Sequence, residues 1–263
     1  MARVHFVLNL ISDKKPRRLT HCLKAYPSMM TEQLAPGRVP AGQRAYAIGD
    51  VHGCSDMLDD MYRLIAADLR ARPCPDATLI HLGDYIDRGP DSAGVITRVT
   101  SRPLSIPTIN LMGNHEELFL SAFDGDRGAV DAWTQNGGVP TLASWGVPPR
   151  TKPRDWRNFI PATQVKQLRD LALHHTIGTY VFVHAGIRPG VPLAEQTPHD
   201  LRWIRKPFLE HDGPLDYVVV HGHTVERAPI VRPNRIGIDT GAVLGGQLTC
   251  VVLQDDRMKF FQV

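Results

Sequence analysis

The sequence is short of long apolar runs, of cysteine, of aromatics and of net charge, and each shortage closes a class of answer. No stretch approaches the roughly 18 apolar residues that a membrane-spanning helix needs. The apolar run at residues 5–11 is short and ends in Ser12-Asp13-Lys14-Lys15. It carries no small-residue cleavage site, so no secretory leader is read there. The four cysteines, Cys22, Cys54, Cys74 and Cys250, show no paired spacing. They give no disulfide framework and fit a reduced, cytoplasmic compartment. At 43% apolar, 22% charged and 7% aromatic, the 263 residues sit in the globular range. Collagenous, coiled-coil and wholly disordered chains are thereby excluded.

The net charge of +3 is unevenly placed. Residues 1–40 hold seven Lys/Arg against two Asp/Glu, so the remainder holds 23 basic and 25 acidic residues and is itself slightly acidic. The basicity belongs to a tail. Residues 1–40 are expected to form a disordered basic extension, or to reflect a start placed upstream of Met29 or Met30, and residues 41–263 one domain. With an acidic body and no basic, aromatic-rich motif, no nucleic-acid partner is expected, nor a membrane.

From Arg44 a grammar repeats in which a short apolar run ends in Gly-Asp or Gly-Asn and a helical pattern follows. Residues 44–48 read as a strand, then Gly49-Asp50-Val51-His52-Gly53, then a helix capped by Ser55. Residues 78–82 lead to Gly83-Asp84-Tyr85-Ile86-Asp87-Arg88-Gly89 and a helix capped by Asp91. Residues 108–112 lead to Gly113-Asn114-His115-Glu116 and a third helix. After a helical and loop insert at about 125–173, with a Pro-rich loop at 140–161, residues 180–183 lead to His184 and residues 217–220 to His221-Gly222-His223. Residues 235–238 and 247–253 read as adjacent strands joined through Asp239-Thr240-Gly241. Alternating strands and helices predict an α/β fold with a mainly parallel sheet, whose ligands bind beyond the strands' carboxyl ends.

One Asp or His at a strand end is weak testimony, because most such residues are turn formers. Here Asp50 with His52, Asp84, Asn114 with His115, His184 and His223 all follow strands and would project toward one sheet edge. These are nitrogen and oxygen donors without cysteine, a set suited to Mn²⁺, Fe or Zn²⁺. Two divalent ions against two aspartates and a bridging hydroxide leave a positive centre matched to a phosphate dianion. Arg88 and Arg205 add planar bidentate donors.

In order, GDVHG, GDYIDRG, GNHE, HAG and HGHT resemble the metallophosphoesterase superfamily, and the GDxxDRG and GNHE forms its phosphoprotein phosphatase branch. Asn136-Gly137-Gly138, Trp203-Ile204-Arg205 and residues 238–243 resemble the bacterial and bacteriophage members of that branch. The likeness spans about residues 44–255. It implies a calcineurin-like αββα sandwich of two mixed sheets with flanking helices. By resemblance, Asp50, His52 and Asp84 hold one ion, and Asp84, Asn114, His184 and His223 a second, manganese first, with iron or zinc as alternatives. His115 then corresponds to the general acid, Asp87 to its orienting partner, and Arg88, Arg205 and Asn114 to phosphate-binding groups. His221 shares a face with His223 in an extended strand, but the resemblance puts the ligand at His223.

The implied activity is hydrolysis of phosphoserine or phosphothreonine, with phosphotyrosine open, in phosphorylated proteins or peptides, by direct attack of hydroxide held between the ions. The alternative is a symmetrical diadenosine-tetraphosphate hydrolase or another small-molecule phosphoesterase. Those hydrolases resemble this chain less, since they tend to lack the counterpart of Asp87 and to carry GNHD. A non-catalytic metal binder should have lost a ligand or the acid, and none is missing.

Overall fold

The computed structural model describes residues 28–29 and 31–263. Two strands of two residues come first, β1 (Ser28–Met29) and β2 (Gln33–Leu34). Then follow β3 (Gln43–Ile48), α1 (Ser55–Ala71), β4 (Asp76–His81), α2 (Ser92–Thr100), β5 (Thr108–Asn110) and α3 (Asn114–Phe123). The insert contributes α4 (Arg127–Trp133), a kink at Thr134–Gly138, α5 (Val139–Ser144) and α6 (Ala162–Arg169). The second half carries β6 (His174–Ile177), β7 (Tyr180–Val183), α7 (Pro198–Trp203), α8 (Lys206–Leu209) and β8 (Val218–His221). It closes with β9 (Ile230–Arg232), β10 (Arg235–Gly237), β11 (Thr249–Gln254) and β12 (Arg257–Gln262).

These strands make two mixed sheets. The first runs β1-β12-β11-β3-β4-β5, with β2 also on β12; β3, β4 and β5 are parallel, while β11 and β12 run antiparallel. The second runs β6-β7-β8-β10-β9, parallel in its centre and antiparallel at both edges. Successive strand residues point to opposite faces, and β3 shows what that does here. Ala45 and Ala47 enter a core shared with Phe182, Val220 and Ile236 of the other sheet. Tyr46 and Ile48 face Leu58 and Ile65 of α1. On the far side, Val181 and Val219 pack under Leu201 and Phe208 of α7 and α8. The layers are therefore helix, sheet, sheet, helix. Among the described residues no helix is long and apolar enough to cross a membrane.

Four local expectations change. The strands expected to adjoin through Asp239-Thr240-Gly241 lie in different sheets, β10 beside β8 and β11 beside β3; the intervening turn crosses between layers. The sheets are mixed, not mainly parallel, because β11 and β12 form a hairpin that no helix separates. The first helix is preceded by Cys54, with Ser55 as its first helical residue and no side-chain cap, whereas Asp91 does cap α2 through the Gly94 N–H. The expected Pro-rich loop holds α5 and a 3₁₀ turn at Pro153–Asn158.

The basic extension was expected to reach residue 40. In the structure β1 and β2 pair with β12, and Val39 is fully buried with its N–H on the Asp255 carbonyl. Six of the seven basic residues precede residue 28, so the charge that suggested disorder does not bear on 31–40. The rest of that expectation lies outside the described residues.

Candidate metal and phosphate site

The carboxyl ends of β3, β4, β7 and β8, and the start of α3, meet at one edge of the sandwich. Their loops are tied to each other by backbone. The N–H groups of Val51 and His52 donate to the Asp84 carbonyl at 3.1 and 2.9 Å, and Gly222 donates to His184 at 2.8 Å. Five side-chain-bearing residues here adopt left-handed backbone: His52, Asp84, Asp87, Arg88 and His223. Each such conformation costs on the order of 1–3 kcal/mol and persists only where surrounding structure enforces it. Glu116 is one enforcer. Fully buried, it accepts the N–H groups of Asp84, Tyr85, Ile86 and Gly113 at 2.8–3.3 Å. Gly113 and Gly222 leave room for carboxylates, since a β-carbon on either would run into Asp84 or Asp50.

Asp84 is the hub. Its Oδ1 lies 3.4 Å from His184 Nε2, and its Oδ2 lies 3.5 Å from His52 Nε2 and 3.9 Å from His115 Nε2. The two oxygens thus face different imidazoles. His52 Nδ1–H donates to the Ile86 carbonyl at 2.7 Å and His184 Nδ1–H to Leu82 at 2.9 Å. Those bonds place the protons on Nδ1 and turn both Nε2 lone pairs inward, the arrangement of metal-ligating histidines. His184 Nε2 faces Asn114 Oδ1 at 3.0 Å, acceptor against acceptor, and buried His223 Nε2 has no hydrogen-bond partner. A pair of facing acceptors and an unpartnered buried lone pair both suit a cation. Potential ligand atoms converge in two groups that share Asp84, one with His52 and His115, the other with His184 and His223.

The charges agree with that reading. Burial pushes His52 down to about 3, and it lowers His184 and His223 as well, keeping these rings neutral. Burial alone would raise Asp84, yet its carboxyl is held well below its usual range, because a proton entering the cluster goes to the imidazoles of His184, His115, His52 and His223 before it goes to Asp84. Asp50 is raised by burial and by its neighbours Asp239 and Asp84. Asp239 is pushed up to about 6, by burial first. Three carboxylates crowded into a buried space call for added positive charge.

Beside the hub, His115 Nδ1–H donates to Asp87 Oδ2 at 2.6 Å. Burial opposes a charge on His115, yet Asp84 and Asp87 together raise its pKa. The Arg88 fork donates to His52 Nε2 at 2.6 Å and to His115 Nε2 at 2.9 Å. The second contact needs an unprotonated Nε2, so a proton can load there only when Arg88 withdraws. Arg88 itself is exposed to solvent.

The ten residues expected at the site fall into three positions. His52, Asp84, Asn114, His115, His184 and His223 touch within the cluster, with Asp87 behind His115. Asp50 sits beside them but leans on the His223 N–H, at 3.0 Å from Oδ2, and is not in the close group with His52. Arg88 touches the imidazoles, and Arg205 stands at the exposed rim, 3.5 Å from Thr224 Oγ1 and the His223 carbonyl. His221 turns away: the backbone leaves the extended state at His223, with φ 64°, and the His221 ring packs on Phe208. Sequence reasoning gave no role to Glu116, Asp239, Trp133 or Thr141. The first two lay inside quoted motifs; nothing local marked the other two.

A model of the calcineurin-like phosphoesterase family matches residues 44–245. The chain belongs to that family. This calcineurin-like phosphoesterase is 30% identical to a serine/threonine-protein phosphatase 1 of Salmonella typhimurium over 81% of its own length and 93% of the relative's. It is 33% identical to a symmetrical bis(5'-nucleosyl)-tetraphosphatase of an Acidovorax strain, over 66% of its own length and 50% of that protein. A solved cold-active protein tyrosine phosphatase superposes with a TM-score of 0.56 at 15% identity, over 84% of this chain and 78% of that one, a likeness of fold. The family is one of metal-dependent hydrolases built on a dinuclear centre. The unpartnered imidazole and the facing acceptor pair fit such a centre in this calcineurin-like phosphoesterase.

Proposed function

We propose that this protein is a phosphoprotein phosphatase that hydrolyses phosphoserine and phosphothreonine monoesters. Asp50, His52 and Asp84 would hold one divalent ion, and Asp84, Asn114, His184 and His223 the other, with manganese first and iron or zinc as alternatives for these nitrogen and oxygen donors. When bound, such a pair polarises phosphoryl oxygens and lowers the pKa of water. Arg88 and Arg205 bind the phosphate oxygens, with Asn114 at hand to join them. His115 delivers a proton from Nε2 to the departing oxygen, and Asp87 holds the ring by Nδ1.

The observation that carries this reading is the buried Asp87–His115 pair beside the cluster, joined at 2.6 Å. A serine or threonine alkoxide is strongly basic and leaves poorly unless protonated. A nucleotide leaving from a phosphoanhydride is already a stable anion and gains little from an acid. A built acid therefore favours monoesters over dinucleoside tetraphosphates. The second reading, a symmetrical diadenosine-tetraphosphate hydrolase, has its support in the Acidovorax relative. The substrates are phosphorylated proteins or peptides in the cytoplasm of a bacterium, on the reading offered here.

The test is a specificity panel on the manganese-loaded chain, with phosphoserine, phosphothreonine and phosphotyrosine peptides and diadenosine tetraphosphate. The phosphoserine and phosphothreonine peptides should give the higher kcat/KM; a preference for the dinucleotide would replace this reading with the second. His115→Asn should lower turnover of the phosphoserine peptide by about 10²–10⁴-fold.

A further inference from the structure

Asp87 is fully buried, lies at a left-handed backbone position (φ 74°) and must keep its carboxylate aimed at one nitrogen of His115. The carboxylate's other hydrogen bonds come from the insert, far away in sequence. Trp133, the last residue of α4, points its indole N–H at the carboxylate, 2.9 Å from Oδ1 and 2.8 Å from Oδ2. Thr141, within α5, donates its hydroxyl to Oδ1 at 2.7 Å. The same hydroxyl oxygen accepts the Asp87 backbone N–H at 2.8 Å. Trp133 and Thr141 are themselves fully buried.

The kinked turn between these helices is shaped for the same task. Gly138 lies flat under the Trp133 ring, where any β-carbon would strike it. Gly137 has φ 102°, its carbonyl accepts the Arg88 N–H at 2.9 Å, and a β-carbon there would press on Arg88 Cγ at 2.8 Å. Phe119 and Trp156 close on the indole, with ring centroids 5.2 and 5.4 Å away. A buried indole N–H needs an acceptor, and the one Trp133 finds is the carboxylate that holds His115, 46 residues away in sequence.

We propose that Trp133 and Thr141 are positioning residues for proton delivery: their two donors fix the Asp87 carboxylate, and through it the His115 imidazole, at the leaving group. The proposal deepens the phosphatase reading and rests on His115 acting as the acid. With either donor removed, the carboxylate can rotate about its Cβ–Cγ bond and the ring loses its single orientation. Neither Trp133 nor Thr141 bonds Arg205 or any of the ligands assigned to the ions, so the loss should fall mainly where protonation matters.

The test compares two esters on the full-length, manganese-loaded enzyme: a phosphoserine peptide, whose leaving oxygen needs a proton, and 2,4-dinitrophenyl phosphate, whose leaving oxygen does not. Trp133→Phe and Thr141→Val should each lose about 10–100-fold in kcat/KM on the peptide, the usual scale for residues that orient a working group. On the dinitrophenyl ester they should lose less than about threefold. Thr141→Ser, which restores the hydroxyl, should recover most of the peptide activity. Manganese affinity, read by titration calorimetry, should stay at the wild-type value. The threonine pair carries the test if Trp133→Phe does not fold. Equal losses on both esters, or no loss on the peptide, overturn the proposal, provided His115→Asn shows the differential. If His115→Asn loses equally on both esters, the acid assignment itself falls and the proposal falls with it.

Discussion

His81 is as deeply buried as His184, and their neighbours give them opposite uses. Both ring nitrogens of His81 are partnered, Nε2 with the Tyr62 hydroxyl at 2.9 Å and Nδ1 with Asn110 Oδ1 at 2.8 Å. His184 spends one nitrogen on a carbonyl and turns the other toward Asp84. His81 is thus a structural link between β4, α1 and β5, and its burial has a measurable consequence. Burial pushes its pKa down to about 4, opposed by the Asn110 bond, against about 6.5 in the unfolded chain. Between those values the unfolded chain binds the extra proton, so stability rises with pH across this window and is lost on acidification. The full effect is up to about 3 kcal/mol from this ring. Urea unfolding from pH 4 to 6.5 should therefore show a shallower pH slope for His81→Gln than for wild type. An unchanged slope would mean that the ring titrates normally. Nothing in the residue pattern separates these two histidines, because what distinguishes a ligand from a link is the second nitrogen's partner.

At the scale of elements, each site residue that follows a strand was legible from the run of apolar residues before it. Asp50, Asp84, His184 and His223 all sit where the pattern put them, beyond a strand's carboxyl end. What stayed hidden depends on contacts distant in sequence. β10 and β11 both read as short strands along one stretch of chain, and only the crossing turn at Asp239 assigns them to different sheets. Trp133 and Thr141 gave a helical pattern but no hint of a carboxylate target. The segment before β3 was obscured by the charge of the residues ahead of it. There Gly37 donates its N–H to the Tyr180 hydroxyl at 3.1 Å, and Val39 fills the core between the sheets. Val39→Ala should cost about 2 kcal/mol, the scale of removing two buried methyl groups. Equilibrium denaturation reads that loss directly, and a neutral result would show that residues 31–40 only lie against the domain.

Across the whole molecule, two sheets and an insert are arranged so that loops from distant parts of the chain deliver buried aspartates and neutral imidazoles to one edge. The fold holds those loops together at a local loss: left-handed backbone at five residues, and Asp50 and Asp239 raised by burial and by neighbouring negative charge. Such an assembly should be more stable with its cations than without them, because ions bind the folded chain and not the scattered ligands of the unfolded one. Manganese at a hundred times its dissociation constant should add about 2.7 kcal/mol, raising the melting temperature by roughly 5–10 °C for a domain of this size. Excess chelator should reverse the rise. Asp84 contributes an oxygen to each of the two ligand groups, so Asp84→Asn should abolish most of the shift while Asp60→Asn, on the exposed side of α1, should leave it intact. A full shift in Asp84→Asn would show that the ions bind elsewhere, and the hub assigned to Asp84 would have to be given up.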